Sequence, residues 1–209
     1  MEKLKEFVIE GYAPETVERI KQLLNEGKSA KDILNNALIP GMDKVGELFQ
    51  QKEYFIPDLL IAARAMEEGM VILKPLLYKE GDMKSLGKLV LGTVKGDVHD
   101  IGKTLVECVF KGAGFEVIDI GVDVPPEKFI EAIKEHKPIA IGLSALLTIT
   151  MIEMKSVIDA ITEAGLRDTV KILVGGAPVN QEYAEEIGAD FYGADPVSGK
   201  NYLLKTLKK

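Results

Sequence analysis

The chain is poor in cysteine, in histidine and in positive charge, and each shortage excludes something. Cys108 is the one cysteine among 209 residues, so no internal disulfide can form. Its place between Val106 and Val109 in a helical pattern predicts a buried thiol in a reducing compartment. Lysine and arginine number 26 against 33 acidic residues, a formal net charge of -7 and a pI near 5.1. Such a surface lacks the field that non-specific binding to DNA, RNA or an anionic membrane requires, which argues against nucleic acid and membrane as main partners. The longest apolar run, 139–150, is too short to span a bilayer and predicts a buried strand with its following loop. The N-terminus, Met1-Glu2-Lys3-Leu4-Lys5-Glu6, is charged from the start, so no secretory signal is expected. The protein is therefore expected to be soluble and cytoplasmic. There is no zinc-ligand cluster, no internal repeat and no low-complexity segment.

What is present is enough apolar material, 46% of the chain, for two small cores. Residues 1–80 show only helical periodicity, with apolar stripes at Val17, Ile20 and Leu24, at Ile33 and Ala37, and at Val45, Leu48 and Phe49. Pro14 opens one helix and Gly27 closes it, Ser29 with Asp32 makes a capping box for the next, and Pro57 suits a first turn. Pro40-Gly41 should kink or divide the third stretch. A four-helix bundle is expected, followed by a polar linker over 81–87.

From residue 88 to the end, short apolar runs alternate with amphipathic stretches. Strands are expected at 88–94, 115–120, 139–145, 170–174 and 190–192, with helices at 101–111, 126–136, 152–164 and 181–187 and a last one near the C-terminus. Continuous apolar strands separated by helices predict a parallel sheet covered on both faces. The fold class is thus α/β: a helical bundle, then a doubly wound Rossmann- or flavodoxin-like domain, whose ligands sit beyond the carboxyl ends of the strands.

Three segments fall at that edge. The first strand runs into Gly92-Thr93-Val94-Lys95-Gly96-Asp97-Val98-His99-Asp100-Ile101-Gly102-Lys103, a loop with a histidine two residues after an aspartate. A neutral imidazole ligates transition metals well, and a carboxylate on its other nitrogen fixes the tautomer; a histidine beside a carboxylate can equally be a structural hydrogen-bonding residue. The third strand leads into Ser144-Ala145-Leu146-Leu147-Thr148-Ile149-Thr150, whose hydroxyls could meet a ligand or cap a helix. The fourth ends in Gly175-Gly176-Ala177-Pro178, which leaves a backbone-lined slot or makes a turn.

Together these residues resemble the cobalamin-binding domain of methionine synthase and its relatives, with its signature D-x-H-x-x-G, S-x-L and G-G. Here the signature is Asp97, His99 and Gly102, then Ser144 and Leu146, then Gly175 and Gly176, with 41 residues between Gly102 and Ser144 and 28 between Leu146 and Gly175. The resemblance implies that a cobalamin or related corrinoid is bound with His99 as lower axial ligand to cobalt. It implies a relay of Asp97 and Thr150 behind that histidine, and a cofactor-binding loop that includes Val98, Asp100 and Ile101. By the same resemblance Ser144 bonds the displaced lower base, while Leu146, Thr148, Gly175 and Gly176 line the groove for the nucleotide tail. Gly46-Glu47-Leu48-Phe49 and Tyr54-Phe55-Ile56-Pro57 resemble the helical cap of the same family, which implies that Phe49 and Ile56 cover the methyl group.

A cap plus a corrinoid domain, with no further catalytic domain, is similar to the free-standing corrinoid proteins of methyltransferase systems. That implies a methyl-carrier subunit rather than a complete enzyme, working between a substrate-specific methyltransferase and a second one whose acceptor is a folate or thiol carrier. A reductive activation protein is a further implied partner. The rival readings are an adenosylcobalamin mutase subunit, a cobalamin-dependent sensor, and a flavodoxin-like domain without corrinoid. The cap segment speaks against the first, and the lack of room for a signalling domain against the second.

Overall fold

The structure, a computed structural model, describes residues 1–80 and 86–207; of the linker expected over 81–87, only Leu86 and Gly87 fall within the described residues. The chain divides into two compact units, one built on the helical residues 1–80 and the other on the sheet.

The helical unit contains α1 (Glu2–Ile9), α2 (Ala13–Asn25), a continuous rod from α3 (Ala30–Ile33) to α4 (Ile39–Gln50), and α5 (Ile56–Glu80). The rod is divided at Leu34–Leu38, a stretch of π-helix. This is the interruption that Pro40-Gly41 predicts: Pro40 has no N–H to return to the preceding turn, and a widened turn just before it absorbs the misfit. Ser29 caps α3 by accepting from Asp32 N at 3.0 Å, and Pro57 lies in the first turn of α5. The stripe on α2 is rotated from the expected one. Thr16, Ile20 and Leu23 are buried, while Val17 and Leu24 are only half-buried. Gly69 of α5 explains the shift, because a Cβ there would meet Ile20 Cδ1 at 2.8 Å and Thr16 Cγ2 at 3.5 Å; its missing side chain leaves the space that Ile20 and Thr16 fill.

The second unit is a five-stranded parallel sheet in the order β2-β1-β3-β4-β5. The strands are β1 (Lys88–Thr93), β2 (Glu116–Asp119), β3 (Ala140–Ser144), β4 (Lys171–Gly175) and β5 (Phe191–Gly193). Five helices connect or follow them: α6 (Ile101–Gly112), α7 (Pro126–His136), α8 (Thr148–Glu163), α9 (Gln181–Glu186) and α10 (Pro196–Thr206). Because α8 starts at Thr148 rather than near 152, Thr148 and Thr150 belong to a helix and not to a loop after the strand.

Alternation along the strands decides what each face does. Val90, Ile141, Leu143, Ile172 and Val174 pack in one core with Phe129 and Ile133 of α7 and with Met154, Val157, Ile158 and Ile161 of α8. The opposite face carries glycines among its side chains, in rows set by the register. One row is Leu91, Gly142, Leu173 and Phe191; the next is Thr93, Ser144, Gly175 and Gly193. Cys108 lies in α6 only partly buried, not enclosed as its pattern suggested. Among the described residues no helix is long and apolar enough to cross a membrane.

Candidate functional site

In this strand order the chain reverses direction across the sheet between β1 and β3, so the loops after these strands diverge and leave a crevice at the carboxyl edge. His99 is in the first loop and Ser144 closes the second strand. The two loops meet through Asp97, whose side chain is fully buried. Its Oδ1 accepts from the His99 ring, with Nδ1 at 2.7 Å, and from His99 N at 3.0 Å. Its Oδ2 accepts from Thr150 Oγ1 at 2.6 Å, from Leu146 N at 2.8 Å and from Leu147 N at 3.3 Å. Burial alone would raise the Asp97 pKa, but the hydrogen bonds from Thr150, from the His99 and Leu146 amides and from the His99 ring outweigh it and hold the carboxyl well below the usual carboxylate range.

An Nδ1–H donated to an ionised carboxylate leaves the lone pair on Nε2. The His99 side chain is 45% exposed, so that nitrogen is open to an outside acceptor of the lone pair. The loop itself is tied down on both sides. Thr93 Oγ1 donates to His99 O at 2.9 Å, Asp123 N donates to Asp97 O at 2.8 Å, and Gly96 N donates to Asp123 Oδ1 at 2.7 Å.

An acid ionised in this way stabilises the fold above its unfolded pKa of about 3.9, and that stability is lost as the pH falls through the depressed folded value. Asp97→Asn should therefore unfold with a flatter pH dependence than the wild type below about pH 4. Near neutrality it should be less stable by about 1–3 kcal/mol, because an amide turns an N–H₂ toward buried N–H donors. Urea titrations at about pH 3 and about pH 7 check both; identical pH profiles would count against this account of the Asp97 bonds.

Around His99 stand apolar side chains that water would not select. Val98 and Ile101 flank it, 68% and 69% exposed, and Leu146, Leu147 and Ile149 follow β3, also exposed. Asp100 is exposed as well, and its carbonyl accepts from Thr104 N at 2.8 Å at the start of α6.

Beside this loop a groove of about 410 Å³ opens between the glycine-bearing face of the sheet and helices α6 and α10. Leu91, Gly142, Ser144, Leu173 and Gly175 are among its lining, so members of both register rows make its floor, with Phe110, Tyr192 and Pro196 among its walls. Ser144 Oγ makes no hydrogen bond among the described residues and is available to whatever enters. Gly176 has φ +131°, and a Cβ there would lie 1.8 Å from Ala145 O, so only glycine lets the β3 and β4 ends come this close. At Gly102, also on the groove, a Cβ would meet nothing within 4 Å; the protein itself gives no reason for a glycine there.

The structure thus brings together Asp97, His99, Thr150, Gly102, Ser144, Gly175 and Gly176. Leu146 and Thr148 follow Ser144 in the chain: Leu146 N donates to Asp97 Oδ2 at 2.8 Å, Thr148 opens α8, and both side chains are exposed. Phe49, at the end of α4, is half-buried and Ile56, at the start of α5, is 43% exposed, both in the helical unit. Sequence reasoning missed Lys103, Asp119, Asp123, Gly142, Gly193 and Gly199. A glycine in mid-strand, as Gly142 is, was the available signal.

A family model described as "B12 binding domain" matches residues 87–199, and a second of the same description matches residues 1–74. The chain belongs to the B12-binding family. It is 45% identical over 174 residues to "Trimethylamine corrinoid protein 1" of Methanosarcina acetivorans, which covers 83% of this chain and 81% of that one. A corrinoid protein of Desulfitobacterium hafniense is 41% identical over 192 residues, or 91% and 89% of the two chains. Among solved structures, the methanol:cobalamin methyltransferase complex MtaBC of Methanosarcina barkeri matches with a TM-score of 0.87 at 30% identity, covering 98% of this chain and 78% of that one. A cobalamin-binding protein from D. hafniense matches with a TM-score of 0.81 at 32% identity, covering 98% and 97%.

The cofactor of this corrinoid protein is cobalamin or a close relative, and the residues present fit it. An unpartnered hydroxyl in an apolar groove, a glycine with open space in front of it and an imidazole with one nitrogen held and the other exposed are what a flat, tailed metal macrocycle needs.

Proposed function

We propose that this corrinoid protein carries a methyl group on cobalt between a methyltransferase specific for a small methylated substrate, such as an amine or methanol, and a second methyltransferase that passes it to a folate or thiol acceptor. A reductive activation protein completes the set of partners. The observation that carries the proposal is the Asp97-bonded His99, exposed at the switch point of the sheet and beside a tail-sized groove. The relatives named for trimethylamine and the match to a methanol:cobalamin methyltransferase complex support the substrate class.

A corrinoid supplies a cobalt centre that accepts a methyl group from one donor and yields it to another. The chain's own residues do the rest. His99 would ligate the metal through Nε2, while Asp97 fixes the ring and keeps the proton on Nδ1. Thr150 Oγ1, within reach of both Asp97 Oδ2 and the Leu147 carbonyl, holds the proton that completes the relay. With Nδ1 held by Asp97, Nε2 is the ring atom that would face the metal. Val98, Asp100 and Ile101 would form part of the cofactor-binding loop, and Ser144, Leu146, Thr148, Gly175 and Gly176 would meet the tail. Phe49 and Ile56 shield the methyl group, a role supported by the match of residues 1–74 to the B12-binding family.

Gly102 supplies the test. Because nothing lies within 4 Å of its would-be Cβ, Gly102→Ala should leave the cofactor-free protein as stable or up to about 1 kcal/mol more stable, as expected for a helical glycine. Gly102→Leu should also fold, yet take up hydroxocobalamin at least about 10-fold more weakly, since its side chain occupies the space at the groove. Uptake is read from the visible spectrum after mixing with hydroxocobalamin, and unimpaired uptake by Gly102→Leu overturns the proposed seat.

A further inference from the structure

Lys103 is a cation that the functions described so far do not use. It follows Gly102 in the first turn of α6, lines the groove, and is only 4% exposed. Among the described residues its one partner is Asp119 at the end of β2, whose Oδ2 it bonds, while Asp119 Oδ1 accepts from Gly121 N at 2.9 Å. An ammonium has three N–H donors; among the described residues one acceptor, Asp119, meets them, and the groove that Lys103 lines is largely apolar. Burying a charge with a single bond is costly, and a pair kept only to tie α6 to β2 would be served as well by apolar contact. The carboxylate does not quench the site either, because Asp119 is itself 30% exposed and one of its oxygens is committed to Gly121.

We infer that Lys103 binds the phosphodiester of the corrinoid's nucleotide tail, and so selects corrinoids that carry a phosphate. The inference rests on the proposed corrinoid seat. The phosphodiester is the anionic group of such a ligand, whose other polar groups are amides and hydroxyls. Gly102 keeps open the space beside the ammonium, and Ser144 meets the base beyond it. Lys103 shares its donors between Asp119 and a phosphate oxygen, which pairs a buried cation with two anions of which one arrives with the ligand.

The experiment measures equilibrium uptake by the cofactor-free protein of three probes: cobalamin, which has phosphate and base; phosphocobinamide, which has phosphate alone; and cobinamide, which has neither. Lys103→Met should weaken cobalamin and phosphocobinamide by about 10- to 100-fold, the range for one charge-assisted hydrogen bond, and leave cobinamide within about twofold. Lys103→Arg, which keeps the charge, should recover most of the loss. If Lys103→Met fails to fold with Asp119 left unpaired, the double variant Lys103→Met with Asp119→Asn carries the same comparison. Equal losses on all three probes would show Lys103 to be a structural tie and overturn the inference. A wild-type protein that takes up none of the three overturns the corrinoid seat, and the inference with it.

Discussion

Replacing His99 with alanine is expected to remove the nitrogen splitting of a protein imidazole from the electron paramagnetic resonance spectrum of the Co(II)-loaded protein. The expectation follows from the geometry of one ring. Nδ1 is held by Asp97 at 2.7 Å, and Nε2 is the exposed nitrogen. Loss of a partner behind a ligand typically costs about 10- to 100-fold in metal affinity or activity, and loss of the ligand itself should cost at least as much. The fold should barely notice. Asp97 keeps Thr150 Oγ1 and the amides of His99, Leu146 and Leu147, so thermal stability should change by less than about 1 kcal/mol. A splitting retained in a well-folded His99→Ala protein and altered by isotope labelling of histidine would rule out His99 as the ligand, because the corrinoid's own base does not carry that label. A large fall in stability would instead mean that the ring supports the loop.

Gly176→Ala should do the opposite, damaging the fold before it touches the ligand. The obstacle at 1.8 Å is Ala145 O, a backbone atom that no rotamer change can move, and φ +131° is closed to alanine in any case. Relief requires separating the ends of β3 and β4, where Ala145 N donates to Gly175 O at 3.3 Å. A loss of about 3–5 kcal/mol is expected, at the upper end of single substitutions. Gly142→Ala is the control. Its Cβ would meet Leu91 Cδ2 at 2.5 Å, but a side-chain methyl can rotate away, so the cost should stay near about 1–3 kcal/mol. Thermal unfolding followed by circular dichroism compares the two, and a Gly176→Ala protein no less stable than Gly142→Ala would refute the backbone argument.

Local chemistry wrote much of this protein legibly into its sequence. Asp97 and His99 are two residues apart on one loop, so their contact follows from spacing alone, and the alternation of apolar runs with amphipathic stretches announces a parallel sheet before any strand is paired. Prolines and glycines marked helix ends because their backbone limits act on the residue itself. Where the reading slipped, a partner distant in the chain had the deciding influence. The buried stripe of α2 turned toward Gly69, which no window around Thr16 contains. α8 starts four residues early, at Thr148, where the carboxylate of Asp97 from another loop accepts from Leu146 N and from Thr150 Oγ1.

The sequence by itself determined the two kinds of unit, the order of elements and the histidine with its carboxylate, since these depend on periodicity and on neighbours along the chain. The tertiary structure alone decided the groove. Its floor comes from two rows, Leu91 with Gly142 and Leu173, and Ser144 with Gly175 and Gly193, drawn from strands that pair only after long crossovers. It also joined Lys103 to Asp119 and Asp97 to Thr150, across 16 and 53 residues. Register and burial are properties of the assembled sheet, and a side chain's charge or size has no address in space until that sheet exists.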